Sequence, residues 1–247
     1  MIVREHFRKF KDKRLLELLY DDLLTWNDWV FTRRTLPPKG LVSVGSDVVT
    51  SPPHDGHTKQ AAIWETGMDN SPMYDQVTWS AAQNKMLIYD VGMTGEFLGE
   101  VEALAELAAA LGKSADVAML KARQAKMAAT VNDVLWNATL GLYFNYQVDT
   151  DSFNLHTSPT SFYPMLSGTA TPEQALAMTR RWLSKHSGYC LNTSAPAPPA
   201  LPGPPPIYEQ GSFMSGRYSS DFQDNAICIA DPTCRAQECC PCAAGAW

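Results

Sequence analysis

The 247-residue chain carries a formal charge of −6 and is 45% hydrophobic, enough to pack one sizeable domain. Its acidic balance excludes the basic face of a nucleic-acid binder and disfavours adsorption to anionic membranes. No stretch reaches the ~18 apolar residues of a spanning helix, and the opening MIVREHFRKFKDKR lacks the apolar run of a secretory leader.

Taken in chain order, Leu15, Leu18, Leu19, Trp26 and Val30 recur at helical spacing and predict a first long helix that stops before Pro37-Pro38. Residues 36–61 contain Gly40, Gly45, Pro52, Pro53 and Gly56 and predict a long loop, which inside a compact domain usually serves function. In DVGMTGEFLGEVEALAELAAALGK, Phe97, Val101, Leu104, Ala108 and Leu111 mark an apolar stripe, and Gly112 stands where a left-handed helix end is expected. Ser114 is the expected N-cap of the next helix, whose buried face is Val117, Leu120, Met127, Val131 and Leu135. The connection between these helices is so short that they must pack antiparallel.

Residues 141–163 alternate aromatic and β-branched with polar residues and predict short extended pieces. Thr171-Pro172-Glu173 reads as cap, first-turn proline and acid, opening a helix with Ala175, Leu176, Thr179, Trp182 and Leu183 on one side. Beyond Gly188 the pattern is lost. APAPPALPGPPP is a polyproline II tract, so residues 189–247 are expected to be a disordered or foreign tail following a folded 1–188 domain. All six cysteines fall at or after Cys190, so disulfides do not build the body of the chain. Cys228, Cys234, Cys239, Cys240 and Cys242 do not form paired zinc knuckles.

The densest chemistry lies in WETGMDNSPMYD, residues 64–75: Glu65, Asp69 and Asp75 with Trp64 and Tyr74, bent by Gly67 and by Asn70-Ser71-Pro72. Cleaving an acetal needs one carboxylic acid to protonate the leaving oxygen and a second carboxylate across the sugar ring. Aromatic rings supply platforms for sugar C–H faces. Glu65 and Asp69 share a face at four-residue spacing, and crowded carboxylates raise one another's pKa, which keeps one protonated at neutral pH. Two other readings stand beside this one. The acids can be solvated loop residues, with Asp75 as a cap, or oxygen ligands of a cation, although they lack the alternating spacing of a calcium loop. No G-x-S-x-G supports a serine triad.

The same stretch closely resembles the E-S/T-G-x-D-N-S-P-x-Y/W-D signature of the glycoside hydrolase family 63 group, and in particular its mannosylglycerate-hydrolase-like branch. Flanking stretches agree in order: TWNDWVFTRRTLPPKGLVSVGSD, YDVGMTGEFLGEVEALAELAAALGK, VNDVLWNATLGLYFNY and SPTSFYPMLSGTATPEQA. The resemblance runs from about residue 15 to about residue 188. It implies an all-α fold, a partial (α/α)6 toroid of antiparallel helix pairs, and an inverting hydrolase acting on α-glucosyl or α-mannosyl substrates without a cofactor or metal.

Carried onto this sequence, the resemblance makes Asp69 the general acid. Glu65, Asn70 and Asp75 would shape the sugar subsite, Trp64, Tyr74 and Trp26 would wall it, and Asp90 would contact substrate hydroxyls. The expected partner is a carbohydrate, with no nucleic acid and no membrane. The family's general base, a later Glu preceded by Y-W-R-G, has no counterpart here, and Tyr208-Glu209-Gln210 is only a faint likeness. The chain therefore reads as about half of a toroid. The alternative is a non-catalytic remnant that binds carbohydrate or has no activity.

Overall fold

The computed structural model describes residues 1–47, 56–68 and 71–183. The expected 189–247 tail lies outside the described residues, as does Glu209. Four long or moderate helices form the frame: α1 (Ile2–Phe10), α2 (Lys13–Arg33), α4 (Val91–Ala110) and α5 (Ser114–Val134), with the short α3 (Lys59–Glu65) between α2 and α4. Two further short helices follow, α6 (Tyr163–Leu166) and α7 (Pro172–Met178), the latter running into a π-helical turn, Thr179–Leu183.

Helix α4 is the centre. Val91, Gly92, Thr94, Gly95, Phe97, Leu98, Val101, Leu104, Leu107 and Ala108 are all buried, so burial extends round the helix rather than along one stripe. Each fully buried Leu or Val contributes about 1.5–3 kcal/mol. By contrast α1 buries no residue, and Arg4 and Arg8 tie it to Glu102 and Glu106 of α4 by ion pairs whose glutamates lie open to solvent. Ion pairs this open to solvent and salt add little stability, so the core and not the charge pattern holds the frame together.

Contacts fix the helix directions. Arg4 meets Glu102 and Arg8 meets Glu106, so α1 runs parallel to α4. Tyr20 donates to Asp116, and Arg123 donates to Asn27 and Asp28, so α2 runs parallel to α5. The turn Leu111-Gly112-Lys113, with Gly112 at φ +75°, reverses the chain between α4 and α5. Alternating helix directions with the connections at the ends make this part of a helical toroid.

One end, at the start of α4, collects the longer connections. Strands β1 (Thr35–Leu36) and β2 (Leu41–Val42) pair antiparallel, as do β3 (Trp79–Ser80) with β4 (Lys85–Met86) and β6 (Trp136–Asn137) with β7 (Leu142–Tyr143). A three-stranded sheet orders β5 (Ile88–Tyr89), β8 (Asn145–Gln147) and β9 (Ser152–Asn154) with β8 in the middle. The Asp90 amide donates to Val42 O at 2.8 Å and the Val91 amide to Asn145 Oδ1 at 2.7 Å, which pins these loops to the start of α4. Gly92 and Gly95 permit a further approach. A Cβ on Gly92 would stand 2.7 Å from Thr160 Cβ, and one on Gly95 2.7 Å from Tyr163 Cβ.

Several local expectations shift. In α2 the buried positions are Leu16, Tyr20, Asn27 and Val30, while Leu18 is 73% and Trp26 54% exposed. Apolar residues surround that helix, and its face is chosen by α4 and α5. Ser114 is the first residue of α5, with Lys113 as N-cap and no side-chain cap bond. Leu176 is exposed, and the buried members of the last helix are Met178 and Trp182, whose indole N–H donates to Leu140 O. Part of the expected 36–61 loop is the β1–β2 hairpin, and residues 48–55 lie outside the described residues. Thr171 caps α7 as expected, in a reciprocal box with Gln174.

Candidate active site

Thr58 caps α3, its hydroxyl accepting from the Ala61 amide at 3.1 Å. The helix ends at Glu65, whose carboxylate is gripped by Arg34. Arg34 Nε donates to Oε2 at 2.8 Å and to Oε1 at 3.0 Å, and Nη2 donates to Oε1 as well. Nη2 also donates to Asp47 Oδ2 at 3.1 Å, and the Gly45 amide donates to Glu65 Oε2 at 3.1 Å. The guanidinium lies 4.4 Å from the Trp29 ring centroid, and Trp29 stacks on Trp26 with centroids 5.0 Å apart. Arg34 is buried although charged, and this fork is what makes that burial tolerable.

Asp69 and Asn70 lie outside the described residues. Their flanks are anchored on both sides. The Met68 amide donates to Thr66 Oγ1 at 3.0 Å, and the buried Ser71 donates its amide to Met68 O at 3.0 Å. A turn of 3-10 helix, Pro72–Tyr74, then buries Met73 and Tyr74 in a small core with Val44, Ala62, Ile63, Val77, Met86 and Ile88.

Tyr74 and Asp90 meet directly. The phenol donates to Asp90 Oδ2 at 2.8 Å, Asp90 Oδ1 accepts from the Met93 amide at 2.9 Å, and Asn145 Nδ2 donates to Oδ2 at 3.3 Å. Asp90 is thus the N-cap of α4 and is buried, and burial pushes its carboxyl above the usual range against the pull of these donors. Burial and then the Asp90 charge push the Tyr74 phenol well up, so it stays a donor. Tyr74→Phe removes a hydrogen bond to a charged acceptor. It should cost about 1.5–3 kcal/mol, read as a lower urea midpoint with an unchanged slope.

A third group lies alongside. Lys59 Nζ donates to Asp75 O at 2.8 Å, and burial lowers the Lys59 pKa while the Asp75 charge offsets part of that. Asn154 Nδ2 donates to Met73 O at 2.7 Å, which leaves Asn154 Oδ1 to accept from the His156 amide and from Nδ1 at 2.7 Å. His156 therefore carries its proton on Nδ1. Burial lowers its pKa and the Asp75 charge raises it again in part. The folded value is below the ordinary ~6.5, so stability is complete above that pH and declines as pH falls through the folded pKa. Tm measured from pH 7 to pH 5 should fall less steeply for His156→Gln than for the native chain.

The expected site residues thus divide. Tyr74 and Asp90 are joined in one buried group. Glu65 closes the Arg34 fork. The Asp75 carbonyl holds Lys59, Trp64 is 53% exposed at the end of α3, and Trp26 stacks on α2, connected to Glu65 through Trp29 and Arg34. Arg34, Asn145 and Asn154 were not singled out from the sequence. Their partners lie 31, 55 and 81 residues away, beyond the reach of any local pattern.

Three comparisons bear on these features. A family model described as the mannosylglycerate hydrolase MGH1-like glycoside hydrolase domain matches residues 1–202. A crystal structure of the family 63 mannosylglycerate hydrolase of Thermus thermophilus in complex with glucose superposes with a TM-score of 0.57 at 19% identity, covering 73% of this chain and 48% of that one. The same hydrolase with Tris and D-glycerate gives 0.56 at 18% identity, covering 73% of this chain and 52% of that one. An uncharacterized conserved protein of the same organism gives 0.58 at 18% identity, covering 83% and 57%. This chain spans about half the length of these solved structures. No curated protein matches it.

Proposed function

The chain belongs to the mannosylglycerate hydrolase MGH1-like glycoside hydrolase family, and on that premise we propose that it is the acid-bearing part of an inverting glycosidase acting on α-mannosyl or α-glucosyl substrates. Asp69 is the general acid. It protonates the departing glycosidic oxygen as the bond to the anomeric carbon breaks, and a water molecule attacks the opposite face.

One observation carries the reading: WETGMDNSPMYD occurs within a family match that spans residues 1–202. The fork at Glu65 and the buried Tyr74–Asp90 group support it, because both hold the flanks of the motif to rigid elements. In this reading Glu65 fixes the end of α3 and Asp90 the start of α4, while Trp64, Asn70, Asp75 and Trp26 are the candidate sugar contacts. The glucose and D-glycerate bound by the Thermus hydrolase support a carbohydrate or glycosyl-acid substrate class.

A second reading is a carbohydrate-binding domain without turnover, which the glucose bound by the Thermus hydrolase also fits. Hydrolysis of α-mannosyl and α-glucosyl glycerate by the chain, followed by proton NMR, separates the two. Release of the β-anomer first supports the inverting glycosidase. Saccharide binding with no turnover supports the binding domain.

A further inference from the structure

We propose that the chain carries a second carbohydrate site, a cleft between the end of α5 and the β8–β9 hairpin that takes one or two units of a neutral saccharide. The cleft encloses about 370 Å³, and its walls include Lys39, Tyr89, Asp133, Tyr146, Asp151 and Phe153. That volume lies within the range of small-ligand pockets.

Its chemistry suits a polyol. The rings of Tyr146 and Phe153 meet edge to face, with centroids 5.3 Å apart, and offer an apolar wall for sugar C–H faces. Lys39 Nζ stands 3.6 Å from Asp133 Oδ2, with both side chains largely exposed, so each head keeps capacity for hydroxyl groups. Asp151 is held at φ +50° in the turn between β8 and β9, and its Oδ1 accepts from the Tyr146 hydroxyl at 2.8 Å. Two carboxylates against one ammonium repel phosphates and other anions and favour hydroxyl donors.

The cleft is separate from the motif. None of the described residues from 56 to 75 lines it. Strand β5 divides the two regions: Ile88 packs into the small core, whereas Tyr89 joins the main core and borders the cleft. The choice of sugar as ligand rests on the glycosidase reading, while the geometry and charge of the cleft do not.

Calorimetry with mannose, glucose and their α-linked disaccharides tests the proposal on full-length Asp69→Asn protein, in which the expected loss of turnover keeps hydrolysis from perturbing the titration. Weak binding is expected. Asp133→Asn, at an exposed position, should weaken it several-fold with unaltered Tm, and Tyr146→Ala by about tenfold. The same sugars should shield Lys39 from acetylation. Absence of binding, or binding that leaves Lys39 labelling and the Asp133→Asn affinity unchanged, overturns the cleft. Hydrolysis by the native chain alongside that result keeps the glycosidase reading. Shielding of Lys39 without any hydrolysis keeps the cleft and removes that reading.

Discussion

Asp69→Asn should reduce turnover of α-mannosyl and α-glucosyl substrates by about 100-fold or more. The amide is nearly isosteric with the carboxylic acid but has no proton of suitable acidity to give. The departing sugar oxygen must then leave as an alkoxide or take its proton from water. Ground-state contacts change little, so KM should move much less than kcat. The loss should also depend on the leaving group. A substrate whose aglycone is already acidic, such as a nitrophenyl glycoside, needs less protonation and should be cleaved by the variant with a smaller defect. Equal defects on acidic and ordinary leaving groups would indicate that Asp69 acts by binding, and wild-type turnover would remove the assignment.

Arg34→Ala should give the largest loss of stability among single changes at the candidate site, about 3 kcal/mol and up to ~5, because it strands the far half of a buried ion pair. Among the described residues Glu65 would keep only the Gly45 amide as a donor, and Asp47 would lose its contact with Nη2. The Glu65 side chain is 30% exposed and can regain some water, which places the expectation toward the lower end of that range. The guanidinium also fills the space over Trp29, so packing is lost together with charge. Arg34→Lys keeps the charge without the planar fork, and should fall between alanine and the native residue. A urea midpoint for Arg34→Ala equal to that of the native chain would show that the fork contributes no net stability. A double-mutant cycle with Glu65→Gln isolates the pair itself.

The two changes report on different levels of the protein. Arg34 acts through Glu65 on the end of α3 and so on the segment that leads into the motif. Its substitution should alter activity in proportion to the population unfolded or displaced. Asp69, in the proposed role, acts on the reacting bond, and its substitution should leave the unfolding free energy within about 0.5 kcal/mol of the native value if the side chain serves chemistry and not packing.

The sequence by itself determined the features whose causes are local or whose motif is long. The antiparallel α4–α5 pair follows from two helical runs joined through a glycine, and the start of α7 from a threonine, a proline and a glutamate in succession. The family was legible from WETGMDNSPMYD and its ordered flanks. The tertiary structure decided the rest. Helix α2 has apolar residues on more than one side, so only docking on α4 and α5 selects Leu16, Tyr20 and Val30 over Leu18 and Trp26. Arg34 follows another arginine at a helix end, and nothing nearby says that it turns inward to Glu65 while Arg33 stays in water. The group made by Tyr74, Asp90 and Asn145 joins residues up to 71 positions apart, and the paired strands are only two or three residues long. Periodicity and capping act over a few residues and can be read along the chain. A buried charge or cap is settled by desolvation and by donors that arrive from distant segments, and those meet only in the folded chain.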